Sequence, residues 1–208
     1  KGKEAATHTV HLRLLSASAL ITNRIIAYRS LRPDVNFQLY QIPGQEDNFD
    51  VCVTARRADT APKENDDATV MLEEDLYLAV PSHSPYGSRE SIRLTDTKDA
   101  DYICLGGSKP IRQITNSYTP HIIFESDTTE SVRNLIAAGM GIGFWPACSW
   151  GPLTTNFGGS PGHFPVKLLP ITDQKCRRQI ILTRSEKGKK SPIVADFCDF
   201  LVEHNNWL

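Results

Sequence analysis

An excess of charge of either sign is missing from this sequence of 208 residues. Its 23 Lys and Arg residues nearly balance its 24 Asp and Glu residues, which gives a net charge of −1 at pH 7. A general nucleic-acid binder would be clearly basic, so the composition excludes that class for the chain as given. No apolar run of membrane-spanning length and no signal peptide are found, so we expect no membrane partner.

Closely spaced cysteines are missing as well. The five cysteines are scattered at positions 52, 104, 148, 176 and 198, and no C-x-x-C motif occurs. An odd, scattered set favours a reducing cytoplasm over a disulfide framework, and we therefore predict a cytoplasmic location. Cys52 and Cys104 lie in apolar runs, where a free thiol behaves as a small hydrophobic side chain.

Signatures of catalysis and of cofactor binding are not found either. The Gly139-x-Gly141-x-Gly143 motif resembles part of a dinucleotide fingerprint, but these glycines follow a predicted helix instead of opening one. Cys148 has no His or Asn near it in a recognisable pattern. The acidic residues within 62–75 fit a solvated loop, with a metal site as the alternative, although no His accompanies the carboxylates. We therefore expect no enzyme activity, no cofactor and no metal.

Residues 124–146 (FESDTTESVRNLIAAGMGIGFWP) carry the strongest pattern. Apolar residues and a glycine recur at the spacing of a helix with one buried face, at Val132, Leu135, Ile136, Gly139 and Met140. Asp127 and Glu130 predict a capping box at the start of this helix, and Gly139 and Gly141 predict a left-handed stop at its end. Strands are predicted directly before and after it, and this order is typical of a parallel α/β sheet.

The same kind of pattern extends along the rest of the chain. Strands are predicted at residues 9–15, 35–40, 49–55, 101–105, 121–125, 142–145, 166–171 and 179–183, with two short strand signals within 70–80. Further helices are predicted at residues 19–32, 110–118 and 192–204. In the first of these helices Leu31 lies on the apolar face and Ile26 points away from it. Residues 149–165 are predicted to form a long surface loop, and residues 184–190 a basic turn.

Together these segments resemble the effector-binding domain of LysR-type transcriptional regulators. A strand, a serine-rich turn and a helix that ends in Arg-Pro-Asp-Val resemble the opening of that domain. Four further phrases resemble family phrases in the family's order: FDVCVTA (49–55), LEEDLYLAVPSHSP (72–85), ESVRNLIAAGMGIGFWP (130–146) and SPIVADFCDFL (191–201). The resemblance covers about residues 9–204, and the loop at 149–165 is longer than the family usually carries.

This resemblance implies an α/β fold of two Rossmann-like lobes joined by two crossover strands, as in periplasmic binding proteins, with a ligand cleft between them. Lobe I would comprise residues 8–80 and 176–208, and lobe II residues 81–175. The implied partner is a small-molecule effector, an organic acid or an amino acid, and the implied assembly is a homodimer or tetramer formed through this domain. DNA would be bound only by an N-terminal winged helix-turn-helix domain, which is absent from this chain.

Ligands in parallel α/β lobes settle where strands end and helices begin. Three such junctions supply the candidate ligand-binding residues Ser16, Ala17, Ser18, Gly107, Ser108, Lys109, Ser126 and Thr128. Thr54, which closes the third strand, matches a family position that often faces the effector. Helix starts present unpaired N–H groups and a partial positive charge, so we predict an anionic ligand. Lys109 and Arg112, two cations near a helix start, favour the same conclusion because an anion would offset their unfavourable position.

Other interpretations remain open. The hydroxyl side chains at the junctions are equally compatible with simple helix caps, and Thr54 with a hydroxyl bonded to its own backbone. The two cations are compatible with solvated surface. Family members vary widely at Ala17, so the identity of the effector does not transfer. A periplasmic-type solute-binding protein is the alternative function; a signal peptide upstream of Lys1 would favour it, and the unpaired cysteines count against it.

Overall fold

The computed structural model describes residues 8–41, 48–60, 67–106, 114–115, 117–146, 148–150 and 166–204. The strands within these ranges are β1 (His8–Leu14), β2 (Val35–Tyr40), β3 (Val51–Arg57), β4 (Thr69–Pro81), β5 (Asp101–Leu105), β6 (His121–Ser126), β7 (Gly143–Pro146), β8 (Val166–Leu169) and β9 (Arg177–Arg184). The helices are α1 (Ser18–Leu31), α2 (Thr129–Ala137), α3 (Glu186–Lys189) and α4 (Pro192–Glu203), with a 3₁₀ turn at Leu94–Thr97. The predicted α/β class is confirmed. Most of the helix predicted at 110–118 and of the loop predicted at 149–165 lies outside the described residues.

The chain divides into two compact units, one formed by Lys1–Glu74 with Arg177–Leu208 and the other by Asp75–Cys176. In the first unit β1 lies between β2 and β3 and is parallel to both. On the other side of β3, β9 runs antiparallel to it and neighbours β4. Because β1 and β3 run in the same direction, their carboxyl ends point to the same edge of the sheet, where α1 begins; β1 ends opposite Val53, and β3 continues to Arg57.

The core of the first unit lies between this sheet and the helices α1 and α4. The two helices bury Leu20, Ile21, Ile25, Tyr28, Val194, Phe197, Phe200 and Leu201 against alternate strand residues. The Tyr28 ring meets the Phe197 ring edge-on at 5.0 Å, and its hydroxyl donates to Asp196 Oδ2 at 2.6 Å. Ile26 is exposed, as predicted. Leu31 is 67% exposed, so its predicted place on the buried face is wrong; it lies in the last turn, beyond Tyr28, the last residue of α1 in the core.

The strand β4 corrects two predictions. A single strand covers Thr69–Pro81, where the sequence indicated a solvated loop up to residue 75 and two short strands. The acidic side chains in this strand have arginine partners on β9, with Glu73 Oε1 2.6 Å from Arg177 Nη1 and Glu74 Oε1 2.7 Å from Arg178 Nε. The Glu74 side chain is fully buried. These ion pairs join residues about a hundred positions apart, which a local pattern cannot show.

The basic turn predicted at residues 184–190 is instead the short helix α3. Ser185 caps it, because its side-chain oxygen accepts a hydrogen bond from the Gly188 N–H at 3.0 Å. A Cβ atom at Gly188 would overlap the carbonyl oxygen of Asp50, so glycine is required there by close approach. The same Asp50 oxygen accepts the Ser185 N–H at 3.0 Å, and the Asp50 carboxylate accepts the His11 N–H at 2.8 Å.

The second unit contains two small groups of strands. β5 and β6 are parallel, while the second half of β4 pairs antiparallel with both β7 and β8. One core cluster is formed by Leu78, Val80, Ile92, Leu94, Tyr102, Cys104, Ile142 and Leu169. A second cluster buries α2 and is formed by Ala79, Ile103, Val132, Ile136, Trp145 and Trp150.

The stretch with the strongest sequence pattern folds largely as predicted. Val132 and Ile136 are buried, and Gly139 is left-handed at φ +80°. Gly141 is not left-handed, so that prediction is wrong; a Cβ atom there would lie 2.7 Å from the Asp101 carbonyl oxygen, and close approach explains the glycine. Met140 is 46% exposed instead of buried, because the helix ends at Ala137.

Candidate functional site

The first predicted junction joins β1 to α1. Ala17 precedes the helix in the left-handed conformation, with φ 55° and ψ 31°, and no side chain caps the helix start. The interpretation of Ser16 or Ser18 as a helix cap is therefore wrong. A left-handed conformation costs an L-residue roughly 1–2 kcal/mol. Such outliers persist where the surrounding structure fixes them, and they cluster at ligand-binding sites.

Thr54 lies beside this turn. The strand ladder between β1 and β3 ends with Leu14 opposite Val53, and the Leu15 N–H donates to the Val53 carbonyl oxygen at 3.0 Å. Thr54 follows Val53 but lies inside β3, which continues to Arg57, so the prediction that Thr54 closes this strand is wrong. Ser16 lies two residues beyond Leu14, the last residue of β1, and both side chains are half-buried. The register of β1 with β3 thus places Thr54 near the first junction, and the binding of a ligand by these residues stays a prediction.

The third junction joins β6 to α2. Thr128 occupies the N-cap position, but its side chain does not cap the helix. Its N–H donates to Ser126 Oγ at 3.2 Å, and its hydroxyl donates to Ser131 Oγ at 2.7 Å. The predicted cap at Asp127 is wrong, because the chain is still extended at Thr128 and the helix begins one residue later than an Asp127 cap requires. Ser131 also belongs to this cluster of hydroxyl side chains, although it is not among the predicted site residues. The spacing of hydroxyl residues at 126, 128 and 131 is a sequence signal that could have indicated it.

Gly107, Ser108 and Lys109, together with Arg112, lie outside the described residues. The residue just before them, Gly106, is left-handed at φ +69°, and its N–H donates to the Ser126 carbonyl oxygen at 2.8 Å. Since β5 and β6 are parallel and Leu105 pairs with Ser126, Gly106 stands at the same strand edge as the third junction. No atom of the described residues lies within 4 Å of a Cβ atom built on Gly106.

The two described helix starts differ in their electrostatics. A helix start carries a partial positive charge and N–H groups without intrahelical partners, and it therefore suits an anion. α2 has Glu130 in its first turn, whereas α1 has no acidic residue there and no side-chain cap. Of these two helix starts, that of α1 is thus the better binding site for a carboxylate or phosphate group.

Two titratable side chains outside the junctions, Cys52 and His121, have defined surroundings. Burial raises the pKa of the Cys52 thiol, opposed in part by Arg13, so this cysteine is protonated at neutral pH and unsuited to act as a nucleophile. His121 Nδ1 lies within hydrogen-bond distance of Asp101 Oδ1, at 2.8 Å, on the surface. Within the described residues no cluster of three His, Cys, Asp or Glu side chains could hold a metal ion. No helix in the described part of the chain is long and apolar enough to cross a membrane.

Known proteins resemble the chain in sequence and in fold. The transcriptional dual regulator GltC of Bacillus subtilis (strain 168) is 22% identical over 200 residues, which cover 90% of this chain and 63% of GltC. The chain thus spans less than two thirds of this curated relative. The regulatory domain of Synechocystis PCC6803 CcmR, solved in complex with 2-PG, aligns with a TM-score of 0.75 and 16% identity over 97% of this chain and 99% of that one. The effector binding domain of QuiR, solved with shikimate, aligns with a TM-score of 0.70 and 20% identity over 94% of this chain and 95% of that one.

The family-level match covers nearly the whole chain. The family described as the LysR substrate binding domain matches residues 4–206. This range contains every described strand and helix, and the solved structures above share the fold over more than nine tenths of the chain. The chain belongs to the LysR substrate binding domain family.

Proposed function

We propose that this chain is the effector-sensing part of a LysR-type transcriptional regulator and that it binds a small anionic metabolite, an organic acid or an amino acid. The proposal rests on one observation, the uncapped start of α1. There the left-handed Ala17 leads into a helix without a cap or an acidic first turn, and Thr54 stands beside it. Shikimate, the ligand of the QuiR domain, is a carboxylate, which fits the same electrostatics.

The ligand would act by shifting a conformational equilibrium. An effector changes an equilibrium only as far as it binds one state better than the other, and this differential affinity is what a regulator passes on. A full-length protein would carry its DNA-binding domain outside this chain, as the coverage of GltC suggests. We further propose a homodimer or tetramer in the cytoplasm, no catalytic activity, and no cofactor. The assignment of Ser126 and Thr128 as ligand-binding residues stays a prediction.

The proposal is tested by a thermal-shift screen of the chain against organic acids, amino acids and neutral sugars. A ligand that binds only the folded chain stabilises it by about 2.7 kcal/mol at a hundred times its Kd, so true effectors raise the melting temperature. We expect acids to raise it and sugars to leave it unchanged. A shift caused by neutral sugars alone would contradict an anion site.

Two variants locate the site. Ser16→Ala combined with Thr54→Val should abolish the shift caused by the acids, since both hydroxyl groups stand beside the start of α1. Thr183→Val is the matched control, because Thr183 pairs with Cys52, two residues before Thr54 on β3 and further from the edge. It should keep the full shift. Equal responses of the double variant and the parent chain would remove these residues from the site.

A further inference from the structure

The sheet of the first unit has a second face, opposite the core, which carries a mixed polar and apolar patch near the candidate site. Side chains alternate along β3, so Val51 and Val53 enter the core while Thr54 and Arg56 share the other face. Their cross-strand partners on β9 are Ile181 and Gln179. The distance along the strand from Thr54 to Arg56 is about 7 Å, within reach of one small molecule.

Arg56 is oriented by a hydrogen bond. Its Nε–H donates to Gln179 Oε1 at 3.0 Å, and Gln179 Nε2 donates in turn to Glu73 Oε2 at 3.4 Å. An amide partner fixes the direction of the guanidinium plane, and a fixed plane is what the two-point recognition of a carboxylate requires.

Apolar side chains flank the same patch. Leu15, which follows the last paired residue of β1, is 43% exposed although Leu14 before it is buried. It stands next to Thr54 on one side, and Ile181 stands next to Thr54 on the other. An exposed leucine beside a hydroxyl group and an oriented guanidinium matches a ligand with an apolar body and an acidic end.

We infer that Arg56, positioned by Gln179, binds the acidic group of the effector, and that Leu15 and Ile181 select an acid with an aliphatic or aromatic body. This inference rests on the proposed function and narrows its ligand class. It assigns Arg56 a ligand contact in addition to the start of α1. The resulting preference is for hydrophobic monocarboxylates over both small polar acids and neutral compounds of the same shape.

Matched pairs of probes test the inference by calorimetric titration of the chain: benzoate against benzamide, and hexanoate against hexanamide, with acetate as the acid without an apolar body. We expect the two larger acids to bind, the amides to bind at least about tenfold more weakly, and acetate to bind more weakly than hexanoate. The inference is overturned if neither larger acid binds, if amides bind as well as acids, or if acetate equals hexanoate.

Variants assign the effect to Arg56. Arg56→Met should weaken the binding of the larger acids by about tenfold or more, and Arg56→Lys should keep part of the affinity because the charge remains. Arg57→Met is the control. Arg57 lies on the opposite face and binds Asp59 through two contacts, at 2.9 and 2.6 Å, so its loss should leave the affinity unchanged. Unchanged binding in both Arg56 variants refutes the inference.

The variants at Ser16 and Thr54 separate this inference from the proposed function. If those changes abolish binding and Arg56→Met does not, the proposed anion site stands and the role of Arg56 fails. If neither set of changes affects the binding of the acids, both fail. Circular dichroism and the unliganded melting temperature show whether each variant is folded before titration.

Discussion

Gly188→Ala is expected to destabilise the first unit, although helix propensity alone predicts the opposite. Alanine is favoured over glycine inside a helix by about 1 kcal/mol. At this position, however, the new Cβ atom would overlap the backbone oxygen of Asp50, which cannot move without disturbing its partners. Two hydrogen bonds are at stake, from the Ser185 N–H to that oxygen and from the His11 N–H to the Asp50 carboxylate.

The magnitude follows from these bonds. Loss of a neutral backbone hydrogen bond costs about 1 kcal/mol, and loss of a bond to a charged carboxylate costs about 1.5–3 kcal/mol. After subtraction of the gain in helix propensity, the free energy of unfolding should fall by about 1.5–3 kcal/mol. Urea unfolding followed by far-UV circular dichroism measures this difference.

Gly106→Ala is the control, because there the alanine introduces backbone strain without the steric overlap expected at Gly188. Gly106 is left-handed, and among the described residues no atom lies where the methyl group would go, so its substitution should cost the strain of about 1–2 kcal/mol. A Gly188→Ala chain that is as stable as the parent, or more stable, would refute the close-approach argument, because helix propensity would then be the larger effect.

Two further predictions concern stability. Ile136→Ala should lower the free energy of unfolding by about 2–5 kcal/mol, because the Ile136 side chain is fully buried in the core cluster that packs on α2. Met140→Ala, at an exposed position, should change this free energy by less than about 0.5 kcal/mol. Urea unfolding of both variants and the parent chain measures the difference. The melting temperature should fall as the pH drops below about 4. Hydrogen bonds from Arg32 lower the pKa of Asp34, and those from Arg93 lower the pKa of Asp96, so their stabilisation is present above the ordinary value of 3.8 and is lost as the pH falls through the lowered pKa. Melting curves of an Asp34→Asn, Asp96→Asn chain should depend less on pH in this range, and an unchanged dependence would contradict the assignment.

Local patterns predicted most of the fold because the elements concerned are specified by nearby residues. The buried stripe of α1, the buried face of α2 and the left-handed Gly139 all follow from spacing within one or two helical turns. The strand at residues 69–81 was predicted only as two short strand signals within 70–80, beside a loop up to residue 75, because its carboxylates find partners on β9, far away in the sequence. The acidic composition of that segment, taken alone, indicates a solvated loop.

The candidate site was predictable in position but not in detail. Strand ends followed by hydroxyl residues located the first and third junctions, and the parallel pairing of β1 with β3 brings Thr54 to the first. The left-handed Ala17 could not be foreseen, because alanine has no preference for positive φ. The inferred role of Arg56 could not be predicted for a different reason. A single arginine in a strand carries no motif, and its place beside Gln179 depends on the register of β3 with β9.

The central claim is that the start of α1 binds an acid. The most direct measurement is a titration of the ¹⁵N-labelled chain, followed by NMR, with an acid that raises its melting temperature. The account predicts that the amide resonances of Ser18 and Ala19, whose N–H groups open α1, shift in a saturable manner with the acid. Saturable shifts elsewhere in the chain, with both of these amides unchanged, would contradict it.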